Sequence, residues 1–224
     1  MKKFLTIIVC VVVLAFALEA KATVLTFDDL PALGGGTYYD ALPSPYGGLN
    51  WSSSWYYMNT REYPGTNPGY ENGTVSGDYV AFNAGADDVS IYDGVFDWTG
   101  AYFTAASVDD LKIDIKGYYE GVLQYNKTLS VKTDSATLFA ANWAGIDMLT
   151  FSSYYLSSKC CGNGNSGKGS SNGCCGATEE PSQFVMDNFS FNNKPGENVP
   201  EPVTFLLIGS GLVGLGFMRR KFKG

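Results

Sequence analysis

Between residues 23 and 192 the apolar residues come in short runs, each closed off by Gly, Pro or Asn, and this punctuation limits the available folds more than any other feature. The runs Val24–Phe27, Tyr79–Phe82, Val89–Tyr92, Tyr102–Thr104, Leu111–Lys116, Thr128–Thr133, Met148–Ser152 and Phe184–Phe191 have the length of strands. Long Leu/Ala/Glu/Lys stretches at helical spacing are missing. Leu111-Lys112-Ile113-Asp114-Ile115-Lys116 alternates strictly, so one face is buried and the other wet, and Phe189 and Phe191 place aromatics in a core. Roughly eight strands in a domain of this size predict an all-β chain built as a jelly-roll-like antiparallel β-sandwich.

Composition supports that reading and narrows the chemistry. The chain has 15 Tyr, 14 Phe and 27 Gly in 224 residues, a strand-and-turn vocabulary. Histidine is absent, which removes the commonest general base and the commonest metal ligand, and with them any Ser-His-Asp or Cys-His mechanism. Once the terminal segments described below are set aside, 8 basic residues face 21 acidic ones, a net charge near −13. Such a domain has no electrostatic footprint for a phosphate backbone, so nucleic acid is not an expected partner; divalent cations and neutral polymers fit better.

Both termini read as processing segments. Lys2 and Lys3 precede the apolar run Phe4–Leu18, and Ala20-Lys21-Ala22 supplies the small-x-small pattern of signal peptidase, so residues 1–22 are expected to be a signal peptide cut after Ala22. At the other end, residues 203–218 are uncharged and apolar and are closed by Arg219-Arg220-Lys221-Phe222-Lys223, the pattern of a short transmembrane helix with a cytoplasmic basic end. Just before it stands Pro200-Glu201-Pro202, after a polar linker over residues 193–199. Two prolines around one acid hold the backbone extended, presenting the tripeptide just above the bilayer.

Pro200-Glu201-Pro202, the Gly-rich apolar helix and the terminal Arg/Lys cluster, in that order, resemble the PEP-CTERM sorting signal of Gram-negative bacteria. The resemblance implies an exported protein, anchored in the inner membrane as a precursor. A membrane exosortase then cuts it at or near the motif and passes it to the cell surface or the extracellular matrix, in association with exopolysaccharide or biofilm. The stretches Phe27–Pro31, Gly48–Trp51, Gly100–Ala106, Asn142–Asp147 and Phe184–Phe189 resemble the jelly-roll ectodomains found among such proteins. The expected organisation is a signal peptide over 1–22, an ectodomain over 23–192, a linker over 193–199 and a sorting tail over 200–224.

Cys160-Cys161 and Cys174-Cys175 bracket a loop of Gly, Asn, Ser and Lys that cannot bury a core. Four cysteines in an oxidising compartment predict two disulfides across this loop, one Cys of each pair joining one of the other, with the partners left open. Adjacent cysteines do not match the ligand spacing of a zinc site.

Three chemistries remain for the ectodomain. Asp28-Asp29 follows the first strand and Asp187-Asn188 lies in the last; if those strands are neighbours, the four side chains are candidate ligands for a structural calcium ion (Ca2+). Trp51, Trp55, Tyr56 and Tyr57 cluster in one Ser-rich segment, and exposed there they would stack on sugar rings, making the domain a carbohydrate-binding module. A glycoside hydrolase working through two carboxylates is the third, but no acid sits in a recognisable catalytic motif, and the chain is expected not to be an enzyme.

Overall fold

The structure, a computed structural model, describes residues 22–160 and 174–193. These residues form an antiparallel β-sandwich with almost no helix, as the alternation predicts. The strands are β1 (Thr23–Leu25), β2 (Tyr39–Ala41), β3 (Asn50–Trp51), β4 (Trp55–Asn59), β5 (Tyr79–Asn83), β6 (Val89–Ala105), β7 (Leu111–Tyr119), β8 (Val122–Val131), β9 (Thr137–Cys160), β10 (Cys174–Pro181) and β11 (Phe184–Asn193). They belong to one 11-stranded hydrogen-bonded network in the order β2-β4-β5-β11-β6-β9-β7-β8, with β1 on β11, β10 on β9 and β3 on β6. The expected runs all lie in or against strands, but Val89–Tyr92 and Tyr102–Thr104 prove to be two parts of the single strand β6. The pairing of β6 with β9 shifts register between Tyr92 and Phe96, Phe96 and Trp98, and Trp98 and Gly100. Such irregularities bend a strand pair, which lets one network close over a shared core.

That core is aromatic. Trp55, Trp98, Phe103, Phe151, Phe184 and Phe189 are fully buried, and their rings meet mostly edge to face or tilted, with edge-to-face contacts of Trp51 on Trp55 at 5.3 Å, Trp55 on Phe184 at 5.7 Å and Trp98 on Trp143 at 5.2 Å. A buried indole must also satisfy its N–H. Trp51 donates to the Tyr46 carbonyl (3.0 Å), Trp55 to that of Ser90 (3.1 Å) and Trp98 to that of Gly100 (3.1 Å).

The aromatics expected to meet sugar are placed otherwise. Trp51, Trp55 and Tyr57 are at most 3% exposed, and Tyr56 is half-buried against Phe82 and Tyr39. Strand β4 is covered on both faces, Trp55 and Tyr57 entering the main core while Met58 joins a smaller cluster with Tyr70, Val80, Phe82 and Val185. Trp51, Trp55 and Tyr57 are therefore packing and offer no open face for stacking, and Tyr56 is partly covered.

Among the described residues no helix is long and apolar enough to cross a membrane. The expected spanning segment 203–218, the motif Pro200-Glu201-Pro202 and the signal run up to Ala20 lie outside the described residues.

Trp98 touches Phe139, Trp143, Phe151 and Phe189. Trp98→Ala is expected to cost about 3–5 kcal/mol of stability in denaturant unfolding, with loss of near-ultraviolet circular dichroism.

Candidate functional site

The first and last strands are neighbours: β1 pairs antiparallel with β11, Thr23 opposite Phe191 and Leu25 opposite Phe189. This register carries the turn after β1 toward Asp187-Asn188, and both acidic pairs close on the segment leading into β5. Asp187 is fully buried; its Oδ2 accepts from the backbone N–H of Val75 (2.7 Å) and Ser76 (2.9 Å), and its Oδ1 from that of Asn188 (2.6 Å). The Ser76 hydroxyl bonds Asn188 Oδ1 (2.7 Å). Asp28 Oδ1 accepts from the N–H of Asp78 (2.8 Å) and Tyr79 (3.2 Å). Between these two anchors sits Gly77, at a positive φ of 59°, where a Cβ would run into the Asp28 carboxylate.

Asp29 turns the other way, its Oδ1 accepting from the Tyr46 hydroxyl (2.6 Å). Burial, together with that bond and the carboxylate charge, raises the Tyr46 phenol well above its ordinary value. Burial likewise pushes the Asp187 carboxyl up to about 6; the backbone donors of Ser76, Val75 and Asn188 pull against this, and the charge of Asp28 adds to it. Of the residues singled out in the sequence, Asp28 and Asp187 thus bind backbone N–H groups at one corner, Asn188 takes the Ser76 hydroxyl there, and Asp29 is engaged by Tyr46 instead. Among the described residues no three His, Cys, Asp or Glu side chains are grouped so as to hold a metal ion.

In the pairing of β9 with β10, Cys174 stands opposite Cys160. Cys161 and the loop lie outside the described residues.

A polar node that the sequence did not announce lies deeper. Asn83 is fully buried; its amide donates to the Asp87 carbonyl (3.1 Å) and bonds Ser153 Oγ (3.1 Å), and its Oδ1 accepts from the Phe184 N–H (2.8 Å). Ser153 passes its own proton to the Ser182 carbonyl (2.6 Å). One asparagine at the end of an apolar strand carries no signal that sets it apart from a turn residue.

Comparison with known proteins adds one specific finding. The family model described as PEP-CTERM protein-sorting motif matches residues 198–221, so the chain carries that motif immediately after its β-domain. No curated protein matches the chain. Among solved structures, that of TmCBM61 in complex with beta-1,4-galactotriose is similar over 67% of this chain and 90% of that one, at 10% identity and a TM-score of 0.34. A likeness of that degree transfers no ligand.

The corner sets two expectations. In Asp187→Asn an amide N–H₂ must face backbone donors, a loss of about 1–3 kcal/mol in denaturant unfolding. The folded carboxyl titrates near 6 and the ordinary value is 3.8, so the folded state holds this proton more tightly. The group's contribution to stability is therefore greatest below the unfolded value and is lost as pH rises through 6. Unfolding curves between pH 4 and 7.5 check this: the advantage of wild type over Asp187→Asn shrinks as pH rises.

Proposed function

We propose that this is an exported, non-catalytic surface protein, which an exosortase processes at Pro200-Glu201-Pro202 to leave the β-sandwich at the cell surface or in the surrounding exopolysaccharide. The observation that carries the reading is the sorting-motif match over residues 198–221, placed directly behind the final strand. Two prolines restrict the backbone around Glu201, which lowers the ordering cost of capture by a membrane protease, and the uncharged apolar run behind them has the composition to be retained by a bilayer until the cut. The substrate supplies the address and the exosortase the chemistry. Absence of histidine and the engagement of the corner carboxylates with backbone N–H groups favour a non-catalytic role for the domain.

Two subsidiary proposals belong to the exported state. The register of β9 with β10 favours a bond between Cys160 and Cys174, leaving Cys161 and Cys175 as the second pair; closing a loop of this length is worth about 3 kcal/mol. Calcium at the Asp28/Asp187 corner is supported only by the gathering of carboxylates, and it would have to share oxygens already bonded to backbone. A melt that rises with calcium and falls with chelator supports it; an unchanged melt removes it.

Intact mass of the protein from cell envelope and medium tests the main reading, with and without Pro200, Glu201 and Pro202 changed to Ala. Loss of both terminal segments only when the motif is intact is the expected result, and any added mass at the new C-terminus identifies the acceptor. A mature form still ending in Arg219–Gly224 contradicts it. Unreduced peptide mapping of the same samples reads the disulfides.

A further inference from the structure

We infer that the outward face of β6, β9 and β7 is a binding groove for a neutral polysaccharide chain. A cleft of about 390 Å³ crosses these strands, lined by Asp88, Ser90, Lys116, Tyr118, Thr150 and Ser152 over a floor that includes the buried Val89 and Phe151. Its geometry follows from the registers. Ser90 stands opposite Thr150 and Thr150 opposite Lys116, so these three side chains form a row across three adjacent strands, about 10 Å from end to end. Tyr118 follows two residues beyond Lys116 on the same face, because β7 alternates Leu111, Ile113 and Ile115 inward with Lys112, Asp114, Lys116 and Tyr118 outward.

The polar groups of this row are unspent. Two neighbouring pairs on the same face satisfy each other: the Thr128 hydroxyl donates to Asp114, and Lys112 Nζ donates to the Ser130 hydroxyl (2.8 Å). Among the described residues, the six side chains of the groove have no hydrogen-bond or ion-pair partner, and the Tyr118 ring packs on no other ring. The groove thus offers a carboxylate acceptor, an ammonium donor, three hydroxyls able to do either, and an aromatic face. That set matches vicinal hydroxyls on one side of a sugar and its C–H surface on the other.

Shape and charge select the class. The cleft is partly open to solvent and lined from three adjacent strands, which suits a chain lying across it better than a small molecule enclosed by it. With a net charge near −13 the domain repels polyanions at distances up to a Debye length, about 8 Å at physiological ionic strength, so an uncharged polymer meets no such barrier. The inference deepens the proposed association with polysaccharide and does not depend on how the tail is processed.

Affinity electrophoresis of the full-length chain in mild detergent, through gels containing a soluble glucan, mannan or xylan, tests it, with alginate as the polyuronate arm. At least one neutral polymer is expected to retard the protein, and Tyr118→Ala and Thr150→Val each to weaken that retardation at least tenfold. Thr150→Val keeps the strand's shape, and thermal melts confirm that both variants are folded. Three results overturn the inference: no retardation of folded protein by any neutral polymer, undiminished retardation of Thr150→Val, or retardation by alginate alone. The chain with Pro200, Glu201 and Pro202 changed to Ala retains full binding, so a failure of sorting and a failure of binding are read separately.

Discussion

The sandwich depends on the packing of its buried indoles against phenyl rings from strands far apart in sequence. Trp98 from β6 lies against Phe139, Trp143 and Phe151 from β9 and is stacked on Phe189 from β11, so one side chain ties three strands. Large rigid rings bury much apolar area for little lost rotamer entropy. The requirement that each indole N–H find a carbonyl then fixes local backbone, as at Tyr46, Ser90 and Gly100.

Closure of the chain on itself is the second constraint. Pairing of β1 with β11 brings Thr23 opposite Phe191, so the two ends of the β-domain leave it at neighbouring points. Just inside that junction, Asp28 and Asp187 fasten the segment from Val75 to Tyr79 by its N–H groups. A hydrogen-bonded corner beside the paired end strands helps to hold both ends of the β-domain in place.

Strand content and fold class were legible in the sequence because period-two alternation and Gly/Pro/Asn punctuation report directly on a half-buried sheet. Strict alternation in Leu111–Lys116 became the in-out pattern of β7 unchanged. Continuity was not legible: Gly94 and Gly100 read as strand ends, yet β6 runs from Val89 to Ala105, since irregular pairing tolerates glycine within a strand. The convergence of Asp28 and Asp187 on one corner followed from expecting the end strands to pair, but their partners, the N–H groups of residues 75–79, come from a loop with no marker. The Trp51–Tyr57 cluster misled because Trp and Tyr serve a core and a sugar surface equally well, and only burial separates the two. The unspent row Ser90, Thr150 and Lys116 exists only through cross-strand register, which no local pattern encodes.

The tail over residues 198–221 carries the sorting motif, and the sandwich ahead of it carries the proposed polysaccharide groove, so the account divides address from task along the chain. The most direct test of that division is to place residues 193–224 behind an unrelated secreted domain that bears its own signal peptide, and to follow its mass and location in the producing host. The account predicts that the fusion is cut near Pro200-Glu201-Pro202 and reaches the same fraction as the native protein. A fusion left uncut in the membrane, while the native chain beside it is processed, would contradict it and assign part of the recognition to the sandwich.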